Sequence, residues 1–316
     1  LITHKMKEVL ACADRITVLR HGRVAGSLLR EEADENGLVE LMFANKVPAL
    51  QVTQMSDRDE TAAPVLELRG VGTRGEGAET TLRDIDLQIC PGEIVGVAGV
   101  SGNGQRELGD LVLGMIDCAT GEKLLDGEDM SHLSIGEARK RGVVFIPESP
   151  LVMATVPYMT VLENFSLTNT RRYARRGGLA MDWHAARADA EGVLDELGFE
   201  LPLYAPARTL SGGNLQRLVI IREMCHQPRL IVASYLTRGL DIQSALAARK
   251  ALLQARDNGA GVLLISEDLE ELFALSDRLV VLYQGRIVGT FIPTETNVYE
   301  IGHLMTGSEV QYAPHS

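Results

Sequence analysis

Four short apolar runs punctuate the chain, at Ile94 to Val100, Val143 to Ile146, Leu230 to Ala233 and Val262 to Ser266. Each is continuous rather than alternating, the pattern of strands buried on both faces of a parallel sheet. Between them lie stretches with apolar residues three and four apart, at Arg106 to Leu113, Asn214 to Cys225 and Ala245 to Arg256, which predict amphipathic helices. Strands alternating with helices imply an α/β layered core. Thr155 to Tyr204 reads as a helix-rich insert, clearest at Ala185 to Leu197, and Arg278 to Gly289 as a β-hairpin. In Tyr158-Met159-Thr160-Val161-Leu162, the apolar residues suit either a membrane-protein contact or core packing.

The same pattern repeats. Leu1 to Ala44 aligns without a gap onto Leu264 to Gly307, offset by 263, with about a third of the pairs identical. Asp14-Arg15 matches Asp277-Arg278, Gly22-Arg23 matches Gly285-Arg286, and Leu41-Met42 matches Leu304-Met305. The expected organisation is therefore the end of one lobe at 1–46, a polar linker at 47–64, a complete second lobe at 65–308 with a helical subdomain at about 155–204, and a tail at 309–316. The first lobe's counterpart of Gly99 would fall upstream of Leu1, so most of a first lobe is expected to precede it.

Composition narrows the classes. The 316 residues are 45% apolar and carry a net charge of −12, which disfavours nucleic-acid binding. Arg171, Arg172, Arg175 and Arg176 run against that charge and read either as an anion-binding patch, for lipid or nucleic acid, or as a solvated helix face. Cys12, Cys90, Cys118 and Cys225 form no CxxC pair, so no metal site is expected and a reducing compartment is. No apolar run approaches the length of a membrane span.

Two motifs carry chemistry. Leu210-Ser211-Gly212-Gly213-Asn214-Leu215-Gln216-Arg217 opens the second helical pattern, so the free N–H groups of a helix start stand where an anion can approach. Alone, a Ser at a helix start is also an ordinary N-cap. Gly99-Val100-Ser101-Gly102-Asn103-Gly104-Gln105-Arg106 lies between a strand and a helix, the setting of a phosphate-cradling loop of the form GxxGxGK[ST]. Its glycines are intact, but Gln105 stands where the motif has Lys, and Arg106 where it has Ser or Thr.

Together these motifs identify the second lobe as resembling an ATP-binding-cassette ATPase over Val65 to about Gly307, with Leu1 to Ala44 resembling the end of a first cassette. In detail it is similar to the tandem-cassette ATP-binding subunits of bacterial sugar and nucleoside importers, through Gly102 to Gln105, Leu210 to Asn214 and Thr237 to Asp241. The resemblance implies a P-loop NTPase-like fold with a parallel sheet core, an antiparallel β portion and a helical insert. It places nucleotide-binding positions at Gly99, Ser101, Gly102, Asn103, Gly104, Gln105, Arg106 and Glu148, the signature at Leu210, Ser211, Gly212, Gly213, Asn214 and Gln216, and the D-loop at Asp241. It also exposes losses. The Walker B Asp falls on Ser234, the catalytic Glu on Tyr235, the Q-loop glutamine on Glu148 and the switch histidine on Glu267, and no aromatic residue lies between Val65 and Ile94 to stack on adenine.

Phosphoryl transfer needs a lysine, Mg²⁺ and a carboxylate to position and neutralise charge. This lobe is expected to have no hydrolysis of its own. Its degenerate positions read as drift or as a regulatory remnant. Cassettes of this kind pair head to tail, so the signature is expected to complete an ATP site whose P-loop is in the first cassette, with Mg²⁺ only there and with His4 as switch residue, unless His4 is a core histidine. The implied partners are that first cassette, a transmembrane permease docking near Glu148 and the insert, and an extracytoplasmic solute-binding protein. The implied place is the cytoplasmic face of the membrane. A soluble switch protein outside transport and an inactive fragment remain the alternatives.

Overall fold

The computed structural model describes residues 6–20, 23–33, 62–75, 79–225 and 227–307. The chain divides into two compact units, 1–53 and 54–316. The first holds a helix at Met6–Cys12 followed by an antiparallel hairpin, β1 (Arg15–Arg20) and β2 (Arg23–Leu29), and a short 3-10 turn at Arg30–Glu32. Ile16 and Val18 are its buried strand residues.

The second unit is built on two sheets. One is antiparallel, β4-β3-β6-β7, from β3 (Leu66–Gly72), β4 (Ile85–Ile89), β6 (Thr120–Leu125) and β7 (Glu128–Asp129). The other runs β14-β13-β5-β12-β11-β8, from β5 (Ile94–Ala98), β8 (Val143–Ile146), β11 (Leu230–Ser234), β12 (Gly261–Ser266), β13 (Arg278–Tyr283) and β14 (Arg286–Phe291). Its strands are parallel except for the edge strand β14. All four apolar runs are parallel strands, and the first ends at Ala98 because Gly99 and Val100 belong to the turn that follows.

Alternation along β5 shows why both faces had to be apolar. Val95 and Val97 join a core with Leu108 and Leu111 of the Gln105–Leu113 helix and with Leu66, Leu68 and Ile89 of the antiparallel sheet. Ile94 and Ala98 face the other way, into a core with Leu218 and Ile221 of the Gly212–Met224 helix and Ala248 and Leu252 of the Ile242–Asp257 helix. Three helix starts have a reason in sequence: Ser211, Asp241 and Asp268 side chains each accept a bond from a backbone N–H of the first turn.

The insert is less uniformly helical than its pattern predicts. Helices at Val161–Ser166, Thr170–Tyr173 and Trp183–Leu197 are interrupted by a two-stranded hairpin, β9 (Ala174–Arg175) with β10 (Ala180–Met181). Two-residue strands are too short to give a periodic signal. Val161, Leu162, Phe165 and Tyr173 are buried in the second core, so core packing holds for Val161-Leu162, whereas Tyr158 is exposed beneath the Arg208 guanidinium.

The sequence repeat is also a structural one. The order helix, hairpin, 3-10 turn at Met6–Cys12, β1, β2 and Arg30–Glu32 recurs at Leu269–Leu275, β13, β14 and Pro293–Glu295, with ends agreeing to within one residue at the offset of 263. Both hairpins carry a register shift, between Val18 and Leu19 and between Val281 and Leu282, again at that offset. A β-bulge is a local backbone choice, so finding it twice at matching positions is a stronger identity than the shared residues alone.

Candidate nucleotide-binding site

After β5 the chain turns through Gly102 and Gly104, at φ +89° and +108°, before entering the Gln105–Leu113 helix. Only glycine adopts these angles cheaply. The turn is pinned from three sides. Asn103 Oδ1 accepts from the backbone N–H of Gln284 at 3.0 Å and its carbonyl from Gly285 at 2.9 Å, while its Nδ2 donates to the Met305 carbonyl at 3.3 Å. Thr80 Oγ1 donates to the Gly102 carbonyl at 2.8 Å. Gly285, at φ +75°, permits this approach: a Cβ there would lie 2.0 Å from the Thr81 carbonyl oxygen.

Gln105 folds back into the turn. It is 3% exposed, and its Nε2 donates to the Val100 carbonyl at 3.0 Å, across the space that a Cβ on Gly99 would fill. Arg106 points out to solvent, with Nε 3.5 Å from Asp110 Oδ2. Burial raises the Asp110 carboxyl above its ordinary value, more than Arg106 lowers it.

Beyond the turn is a cavity of about 410 Å³ whose wall includes Ser101, Arg106, Glu148, Ser234, Tyr235 and Arg238. The structure thus gathers Glu148 and the two residues after the β11 run beside the glycine-rich turn. Glu267, at the end of β12, reaches the same cluster. The Tyr235 hydroxyl donates to Glu267 Oε1 at 3.5 Å, Arg238 Nη1 donates to Glu148 Oε2 at 3.0 Å, and the Arg238 guanidinium carbon lies 5.2 Å from the Tyr235 ring centroid. Tyr235 itself is at φ +51°, the left-handed region that an aromatic residue enters only at a cost. Its hydroxyl is pushed up to about 12, first by burial and then by Glu267 and Glu148.

This donor set does not fit a Mg²⁺-bound triphosphate. The backbone turn is suited to an anion, but Ser234 and Tyr235 offer no carboxylate, and Glu148 is engaged by Arg238 and Glu267 by Tyr235. Among the described residues no ammonium reaches into the turn, because Gln105 occupies it.

The Leu210–Gln216 segment forms a separate place that shares no residue with that cavity's wall. Ser211 Oγ accepts from Asn214 N at 3.3 Å and caps the Gly212–Met224 helix, leaving Ser211 and Gly212 exposed. Gly213 is forced to be glycine: a Cβ would sit 2.2 Å from Ser244 Oγ. Asp241 accepts from Ser244 N at 3.0 Å and from Ser244 Oγ at 2.8 Å. Burial acts to raise the Asp241 carboxyl, but those bonds and Arg217 outweigh it and hold the group below its ordinary value. Gln216, buried, donates from Nε2 to the Leu236 carbonyl at 3.3 Å, so the helix is tied to the segment that links Tyr235 to Asp241.

Two residues of this region were not singled out from sequence. Arg238 lies inside Thr237–Asp241, where the motif draws the eye to the aspartate. Glu271 is 1% exposed and accepts from Thr237 Oγ1 at 2.6 Å and Ser266 Oγ at 2.9 Å, bracing the Thr237–Asp241 segment against the end of β12. Its repeat counterpart is Glu8, an identity that is visible in the alignment. His4 lies outside the described residues.

The sequence model for the ABC transporter family matches residues 82–233, from just before β4 through most of β11. The chain is 37% identical over 309 residues to the glucose import ATP-binding protein TsgD13 of Haloferax volcanii, covering 97% of this chain and 56% of that protein. It is 32% identical over 311 residues to the nucleoside import ATP-binding protein NupA of Lactococcus lactis, covering 98% of this chain and 61% of the relative. It therefore spans less than two thirds of these relatives' own length. A solved nucleotide-free ATP-binding cassette from an ABC transporter superposes with a TM-score of 0.63 over 78% of this chain and 96% of its own, at 19% identity, a likeness of fold. No helix among the described residues is long and apolar enough to cross a membrane. With the two-sheet core, the glycine-rich turn and the Ser211-capped helix in place, these likenesses show that the chain carries an ATP-binding domain of the ABC transporter family.

Proposed function

We propose that this chain is the second, degenerate cassette of an importer's ATP-binding subunit, with a sugar or a nucleoside as the transported solute. Its own glycine-rich turn does not hydrolyse ATP. Ser211, Gly212, Gly213 and Gln216 complete a composite ATP site whose P-loop, with Mg²⁺ and the switch residue His4, belongs to a first cassette of the same polypeptide. The observation that carries this is the contrast between a cavity whose wall holds Tyr235 and the paired Arg238 and Glu148, with Glu267 engaged by Tyr235, and a signature turn whose cap, glycine and D-loop contacts are all in place. The duplicated hairpin with its matching bulge supports a tandem arrangement.

The permease contact falls on a groove of about 380 Å³ beside the Glu148 segment and the insert. Phe145, Met153, Val156 and Leu167 give it apolar walls. Val152, Met153, Val156, Met115 and Ile135 are exposed around it, more contiguous apolar surface than a lone cassette has use for. At its base Arg222 donates to the Ala154 carbonyl at 2.5 Å and to Glu223, which also pairs with Arg139 at 2.8 Å. Arg222 is on the helix that Ser211 caps, so the groove and the signature share one rigid element. The subunit acts at the cytoplasmic face of the membrane, with a solute-binding protein on the far side of the permease and no nucleic acid.

The test compares ATPase rates. This chain alone stays at background, and a polypeptide carrying both cassettes turns over ATP in a way that Ser211→Arg slows by about a hundredfold while Ser234→Ala leaves it within a factor of two. Mg²⁺-dependent turnover by this chain alone, lost on Gly102→Val, overturns the reading.

A further inference from the structure

Residues 170–191 oppose the charge of the chain around them, with five arginines against three carboxylates in a protein of net charge −12. All three carboxylates are committed. Asp189 takes Arg172 through Nε at 2.7 Å and Nη2 at 3.2 Å, Asp182 takes Arg175, and Glu191 takes Arg187 at 2.7 Å. Arg171 and Arg176 are exposed and pair with no carboxylate among the described residues. The hairpin tip is equally unusual in its apolar content. Arg176, Gly177 and Gly178 take φ values of +51°, +69° and +94°, and the turn they make leaves Leu179 90% exposed, with Trp183 44% exposed at the start of the next helix. A leucine so placed buries nothing within this unit.

Unpaired guanidinium groups beside a projecting leucine and a half-exposed tryptophan are the composition of an interfacial membrane contact: arginine meets anionic headgroups, and indole and leucine enter the headgroup boundary. The position agrees. Leu167 and Thr168 line the groove read above as the permease contact, and the hairpin's first helix starts at Thr170. We infer that the Arg171–Trp183 hairpin contacts the bilayer beside the permease, with Arg171 and Arg176 on anionic headgroups and Leu179 and Trp183 at the interface. This placement rests on the permease reading, but the contact is measurable without a permease. A nucleic acid would use the arginines and leave Leu179 without a role.

Trp183 is the one tryptophan of the chain, so its fluorescence reports on this hairpin alone. The whole chain is mixed with vesicles of phosphatidylcholine containing about 30% phosphatidylglycerol, or with phosphatidylcholine alone, and followed by emission wavelength and co-sedimentation. The expected result is a blue shift and sedimentation with the anionic vesicles, at least about tenfold weaker on neutral ones and in Arg171→Glu/Arg176→Glu. Leu179→Ser weakens it with the charge untouched. Arg171→Gln/Arg176→Gln, checked for an unchanged melting curve, serves where the charge reversal does not fold. Equal binding to neutral vesicles, no response to any of these substitutions, or a shift produced only by an oligonucleotide or by detergent-solubilised permease overturns the proposal. Co-purification with the permease is scored separately: its failure with vesicle binding intact removes the groove reading and leaves the lipid contact.

Discussion

Arg238 bridges two segments that sequence places 90 residues apart, donating to Glu148 at 3.0 Å while lying over the ring of Tyr235. The Arg238 and Glu148 side chains are 63% and 41% exposed, so water screens the pair. Such pairs contribute about 0.2–1 kcal/mol, and the ring contact at an exposed site about 0.5–1 kcal/mol. Glu148→Gln is therefore expected to lower unfolding free energy by less than about 1 kcal/mol, an effect that fades in salt near ~0.5 M. Arg238→Ala should cost more than Glu148→Gln, because it removes both contacts. Urea denaturation of the two variants and their double mutant measures the difference, and equal costs would show that the ring contact contributes nothing.

Tyr235 gives this cluster a pH signature. Its folded-state value of about 12 lies above the ordinary 10.0, so the neutral phenol is favoured by folding. The associated stability is present below pH 10 and is lost as the pH rises from 10 towards 12. Glu267→Gln removes one cause of the upward shift, so phenol ionisation, read as the ultraviolet difference between the chain and Tyr235→Phe, should move down towards 10. An unchanged titration in Glu267→Gln would leave the shift to burial and Glu148 alone.

How much of this was legible in sequence follows from what makes each signal. The parallel strands were, since burial on both faces forces an unbroken apolar run, and the ends of β8 agree to the residue. The repeated hairpin was legible because Gly285 has no substitute against the Thr81 carbonyl, and Gly22 stands at the matching position. The individual strands of the antiparallel sheet were not read, since Leu66, Leu68, Ile85, Leu87 and Ile89 are separated by polar residues over spans too short to declare a period. The lining of the cavity beside the glycine-rich turn was legible only as departures from the motif. That Arg238 would meet both Glu148 and Tyr235, and Tyr235 in turn Glu267, depends on three loops meeting, which no local pattern encodes.

Lys123 was also invisible, because a lysine in a strand reads as a solvent-facing residue. It is 1% exposed, and its Nζ donates to the Leu111 carbonyl at 2.7 Å, at the C-terminal end of the Gln105–Leu113 helix where a cation is favoured. Burial nevertheless dominates and lowers its pKa below 10.5, with Cys118, Asp117 and Asp129 opposing. The unfolded chain then binds the extra proton, so the contribution of Lys123 to stability is greatest above pH 10.5, falls as pH drops through the window down to the folded-state value, and is flat below it. Lys123→Met should abolish that rise towards alkaline pH in denaturation curves. A slope that persists in the variant would assign it to another group.

Gly213 tests whether the starts of the Gly212–Met224 and Ile242–Asp257 helices are as closely fitted as the geometry requires. A methyl group there would meet Ser244 Oγ at 2.2 Å and Ser244 Cβ at 2.9 Å, and Ser244 is held by both oxygens of Asp241. The serine cannot move without giving up those bonds, so Gly213→Ala must shift the start of the Ile242–Asp257 helix or that of the Gly212–Met224 helix. Overpacking of this kind costs about 1–3 kcal/mol. Ser244→Gly removes the obstructing atoms while its backbone N–H still caps on Asp241. In Gly213→Ala/Ser244→Gly the loss should therefore be smaller than the sum of the single losses by about 1 kcal/mol or more. Strict additivity in a urea double-mutant cycle would mean that the helix start shifts freely, and that glycine at this position serves something other than the close approach to Ser244.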